Sequence, residues 1–138
     1  RNKLLSYYFT FFENLTVNRS FVLSALSQKK ENLKTLSILS ELRKKFKSFI
    51  RSLGIRPVPM NDARLDKIQE RTIEESAWAQ LLITMNFWKN DPSPSFEKTD
   101  VFIEKSVNAS FDLIDNTPLK SIVDLGKFLA KEKFNMNM

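Results

Sequence analysis

Asp, Glu, Lys, Tyr and Ser are the side chains this sequence offers for chemistry, because it contains no His and no Cys. The first absence removes the commonest general base and metal ligand. The second excludes disulfides, zinc–thiolate sites and thiol nucleophiles. Gly54 and Gly126 stand alone, so neither a phosphate-cradling glycine loop nor a GxGxxG or GxSxG motif can be written. The carboxylates and lysines could transfer protons, yet their spacing brings no set of them together. The expectation is a protein that is not an enzyme and uses no cofactor or metal. Charge is the other chemical signal. Residues 1–56 carry twelve Lys/Arg against three Asp/Glu, and residues 57–138 carry ten against thirteen. Lys44, Lys47, Ser48 and Arg51 share one side of a predicted helix. They read first as a solvated face and second as a phosphate-binding patch.

The elements that position these groups are helical. Two Gly and five Pro in 138 residues argue against many short strands joined by tight turns. Tyr8, Phe12 and Leu15 follow helical spacing, and that first helix ends near residues 14–17. Asn18 is a plausible cap for a short second helix over 19–26. A third helix is expected over 31–53, with Leu42, Phe46 and Ile50 on one side and Gly54 as its stop. Pro57 and Pro59 make 55–60 an extended linker. Asn61 or Asp62 then caps a long fourth helix reaching about residue 90. Its stretch from Ala77 to Trp88 is apolar except for Gln80, Thr84 and Asn86, which marks the buried centre of a helical protein. It is too short to span a bilayer, which needs about 20 apolar residues. Ser93 or Ser95 caps a fifth helix over 96–115, and Thr117-Pro118 opens a sixth that ends at residues 131–133 with a frayed tail. The fold class is therefore all-α, a single-domain bundle of about six helices over 1–138.

The fifth helix carries more apolar surface than one core requires. Phe96, Ile103, Val107, Phe111 and Ile114 cluster on one side, with Thr99, Ser106 and Ser110 between them and Phe102, Ala109 and Leu113. The arc is roughly 200° wide by the 3.6-residue period, where about 100° covers a core. A second copy of the chain is the economical partner, two helical hairpins forming an intermolecular four-helix bundle. A fully internal helix is the alternative. The expected dimer residues are Phe96, Thr99, Ile103, Ser106, Val107, Ser110 and Ile114.

The run Glu75-Ser76-Ala77-Trp78-Ala79-Gln80-Leu81-Leu82 with Phe87-Trp88, and the run from Ser93 to Asp115, resemble the C-terminal domain of a TetR-family transcriptional regulator. The branch they resemble is seen mostly in Bacteroidetes. The resemblance implies an effector-binding and dimerisation domain of a regulator, most simply a repressor, located in the cytoplasm. It also implies an upstream helix-turn-helix domain through which alone DNA would be bound. The absence of an initiator Met agrees with a piece of a longer chain.

In such proteins the effector pocket lies within each protomer beside the dimer hairpin. The residues available to line it are Tyr8, Phe12, Phe46, Trp78, Met85 and Trp88, with Gln80 and Thr84 as polar orienters. Ordinary core is the plainer reading of each aromatic. The expected effector is small, hydrophobic or amphipathic, and not strongly charged. A helical interaction domain with no small-molecule ligand is the alternative function, and direct nucleic-acid binding by the basic half a third. The triplets at Asn14, Asn18 and Asn108 match the N-glycosylation pattern; with no signal peptide or membrane segment evident, they are taken as chance.

Overall fold

A computed structural model describes residues 1–27, 33–55, 62–115 and 117–136. The chain is all-α, as predicted: α1 (Asn2–Val17), α2 (Arg19–Ser27), α3 (Leu33–Ser52), α4 (Ala63–Lys89), a 3₁₀ turn (Pro94–Phe96), α5 (Glu97–Asp115) and α6 (Thr117–Met136). The expected start of α3, the linker over 56–60 and a cap at Asn61 lie outside the described residues.

Each boundary has a local cause. Asn18 does not cap α2 with its side chain; its amide instead donates back to the Asn14 carbonyl at 3.0 Å and ends α1. Gly54 stops α3 in the left-handed region, at φ +63°, a conformation open to glycine at little cost. The Asp62 carboxylate accepts the Arg64 amide at 2.8 Å and so caps α4, satisfying one orphan donor of the first turn. Helix α6 runs to Met136, past the predicted end at 131–133.

Four helices build the core. Leu4, Tyr8 and Phe12 of α1 repeat every fourth residue and are buried. They meet Phe46 and Ile50 of α3, Leu81, Met85 and Trp88 of α4, and Ile103 and Val107 of α5. Helix α4 is central, antiparallel to α3 on one side and to α5 on the other. The second register is shown by the stacked rings of Phe87 and Phe102, 4.6 Å apart, and by the Gln80 side chain, which donates to the Ser106 hydroxyl and accepts from the Ser110 hydroxyl. Along α3, Arg51 pairs with the buried Glu74 at 2.7 Å, while Arg43 and Lys47 pair with Glu75. The Lys47 hydrogen bond, with Arg43 beside it, lowers the pKa of the Glu75 carboxyl. Two of the four polar residues on the basic side of α3 are therefore committed to α4, and Lys44 and Ser48 stay exposed.

Candidate effector site and self-association surface

The turn between α4 and α5 is the most elaborate polar structure in the molecule. Asp91 is only 5% exposed. One of its carboxylate oxygens accepts the Ser93 amide and hydroxyl at 2.9 and 2.6 Å. The other accepts the Thr99 amide and hydroxyl at 3.0 and 2.7 Å. The Ser93 hydroxyl in turn accepts the Lys98 amide at 3.1 Å. Burial alone would raise the Asp91 pKa, but these four bonds outweigh it and bring the carboxyl down to about 2, because they favour the ionised form. The expected serine cap is thus shared: Ser93 serves the Lys98 amide, and Asp91, eight residues before Thr99, serves the next amide along the chain. Ser95 and Phe96 sit at φ 53° and 56°, a strained conformation for residues with a Cβ.

That turn aims Phe96 at the aromatic end of the core. The Arg19 guanidinium lies 4.6 Å from the Trp88 ring and 4.5 Å from the Phe96 ring. It donates to the Trp88 and Lys89 carbonyls at 3.2 and 3.0 Å. One side chain at the start of α2 therefore caps the C-terminus of α4 and sits against two aromatic rings. The Trp88 indole N–H donates to the Thr16 hydroxyl at 3.1 Å, which donates to the Phe12 carbonyl at 2.8 Å. Sequence reasoning missed Arg19 and Asp91; acidic and basic residues flanking an apolar helix end were the available signal.

The residues expected to line an effector pocket come together, but as core. Tyr8, Phe46, Thr84 and Trp88 are fully buried, Phe12 and Met85 nearly so. Trp78 is half-buried, its ring centre 6.3 Å from that of Phe46. Gln80 is turned away from them: its amide donates to the Ser106 hydroxyl at 3.3 Å and accepts from Ser110 at 3.2 Å. It is a clasp between α4 and α5 and does not face the aromatic set. Thr84 donates to the Gln80 carbonyl of its own helix at 2.7 Å. The Tyr8 hydroxyl is buried beside Thr84 without a hydrogen bond of good geometry. Burial pushes its pKa far above the ordinary value, and Thr84 offsets this only in part.

The residues expected at a dimer interface divide. Thr99, Ile103 and Val107 are fully buried inside the protomer, so they cannot meet a second copy. Ser106 and Ser110 are half-buried and serve Gln80. Phe96 packs beside Trp88, ring centres 6.1 Å apart, and Ile114 is half-buried. The physical reason is that α1 covers the face of α5 that the sequence pattern left unpartnered. In the second part of the apolar arc Ala109 and Leu113 are exposed along with Leu82 and Ile83 of α4, while Phe102 is half-buried against Phe87. Ile83 and Leu113 are 59% and 61% exposed. Leu125, Phe128 and Leu129 of α6 are exposed as well.

Among the described residues, hollows open around these helices at three places. A trough of about 620 Å³ runs along α1 past Lys3, Tyr7, Phe11 and Phe49. One of about 220 Å³ lies between α3 and α4 near Gly54 and Glu74. A third, of about 290 Å³, lies where α1, the end of α4 and the start of α5 meet, and includes Phe12, Thr16, Trp88, Phe96 and Thr99. It joins residues assigned from sequence to two different sites. Among the described residues there is no cluster of acidic side chains able to hold a metal and no helix long and apolar enough to cross a membrane.

Comparison with known families matches residues 3–129 to the model described as tetracyclin repressor-like, C-terminal domain. The match is to the family and specifies no branch of it. No curated protein and no solved structure matched the chain.

Proposed function

Because this chain belongs to the tetracyclin repressor-like C-terminal domain family, we propose that it is the effector-sensing and dimerisation region of a transcriptional regulator, acting as a repressor in the cytoplasm. The observation that carries this reading is the two-sided α4–α5 hairpin. Its inner face is spent on the protomer core, and its outer face leaves Leu82, Ile83 and Leu113 exposed. Two such faces meeting about a twofold axis form a self-complementary four-helix interface. Phe87 and Phe102, half-buried and stacked with their rings nearly parallel, supply its aromatic anchors.

Sensing is supported by the Tyr8 hydroxyl. A buried donor without a partner costs about 1–3 kcal/mol, and an effector acceptor reaching it would recover that cost. Tyr8 and Thr84 each lie one helical turn from a residue of the 290 Å³ hollow, Phe12 and Trp88 respectively. Neither Tyr8 nor Thr84 lines the hollow itself, so an effector seated there would reach the hydroxyl only by displacing Phe12 or Trp88. The effector is small and amphipathic, and DNA is contacted only through a separate domain.

Two measurements test this. Light scattering at micromolar concentration should give twice the mass of one chain, and Ile83→Lys should give a folded monomer. A wild-type mass of one chain overturns the dimer. The neutral fluorescent ketone prodan should bind saturably, and Tyr8→Phe should weaken it about fivefold, the worth of one hydrogen bond. No saturable binding in a folded dimer would favour the alternative, a helical dimerisation domain without a ligand.

A further inference from the structure

The hollow between α1, α4 and α5 differs from the other two in its charge. Its walls carry the rings of Phe9, Phe12, Trp88 and Phe96 together with the carboxylates of Glu13 and Asp100. Neither carboxylate has an ion-pair partner among the described residues. The trough along α1 carries Lys3 and no acid, and in the hollow near Gly54 the Glu74 carboxylate is already paired with Arg51. We propose that the α1–α4–α5 hollow binds a small amphipathic monocation, its ammonium group held by Glu13 and Asp100 and its apolar body on Phe12, Trp88 and Phe96. The inference rests on the effector reading above and gives that effector a charge and a place.

Three observations support it. A volume of about 290 Å³ is at the lower end of the range for small-molecule sites. The Arg19 guanidinium already stands 4.6 and 4.5 Å from the Trp88 and Phe96 ring centres, while among the described residues no cation lies over the rings of Phe9 and Phe12, which line the same hollow. Aromatic faces attract cations through their quadrupole. The local field is also negative in a chain of net charge +6: partial burial, then the charges of Asp91 and Glu97, raise the pKa of Asp100. The nearby cation Arg19 is committed to the carbonyls of Trp88 and Lys89. Lys98 lies on the first turn of α5 and is exposed, so it stays hydrated. An anionic ligand would face two unpaired carboxylates, and a neutral one would leave both without a partner.

The test compares 3-phenylpropyltrimethylammonium with 3-phenylpropanol, read by tryptophan fluorescence on the 138-residue chain at low salt. The cation should bind at least about tenfold tighter than the alcohol, the sum expected of a cation–π contact and a partly exposed ion pair. The double variant Glu13→Gln, Asp100→Asn changes two exposed side chains and should keep wild-type helicity by circular dichroism. It should bring the two affinities together. Equal affinities for the wild type, a preference that survives the double variant, or no binding of the cation would each overturn the proposal. Saturable binding of prodan alongside any of those results would leave the effector reading standing and refute only the cationic assignment.

Discussion

Asp91 is the residue on which the α4–α5 turn depends, and its pH behaviour follows from its bonds. Its folded pKa of about 2 lies below the ordinary 3.8. A depressed carboxylate contributes stability that is present above the unfolded value and is lost as pH falls through the folded one. Asp91→Asn should therefore lower stability at neutral pH by on the order of 2 kcal/mol, from losing a charged cap and its bonds. The gap between wild type and variant should close between about pH 4 and pH 2, read by urea unfolding at several pH values. A gap that persists at pH 2 would contradict the geometry. Tyr8→Phe should act in the opposite sense. Removing a buried hydroxyl without a good partner should raise stability by about 1 kcal/mol, whereas a loss of similar size would show that the hydroxyl is satisfied.

At the scale of elements, α5 has one face in the core and one outside it, and the proposed dimer gives the two faces different roles. Ile103 and Val107 are completely buried within the protomer. Ile103→Ala should cost roughly 2–5 kcal/mol through lost burial and a cavity, at any protein concentration. Leu113 is 61% exposed, and Leu113→Ala should matter only through association, so its effect on the unfolding midpoint should vary with protein concentration. Denaturation of both variants over a hundredfold concentration range would distinguish the faces. A concentration dependence for Ile103→Ala and none for Leu113→Ala would reverse the assignment. On α5, Ser106 and Ser110 satisfy Gln80, which would otherwise be a costly amide in an apolar seam.

At the scale of the whole molecule, the basic half does not form a single free surface. Arg43, Lys47 and Arg51 are paired with Glu74 and Glu75 across the α3–α4 seam. Their charge is partly neutralised before any phosphate arrives. The chain alone should show no sequence preference for duplex DNA at physiological salt, checked by gel shift with competitor. Any residual affinity should be non-specific and fall steeply as salt rises.

The sequence by itself determined the helices, the central position of the Ala77–Trp88 stretch and the family. Periodicity and caps are local properties, and the two runs that carry the resemblance are contiguous. It also showed that α5 has too much apolar surface for one partner. Which part of that surface faced inward was not legible, because the hydrophobic pattern states how wide an apolar arc is and not what covers it. Only the packing of α1 across α5 decided that Thr99, Ile103 and Val107 are core and that Leu113 faces outward. The same holds for Gln80: its place in an apolar stretch was evident from its neighbours, while its partner, 26 residues away on Ser106, was decided by the register of two helices. Arg19 joins residues 69 and 70 positions distant, and no window on the chain contains such a pair.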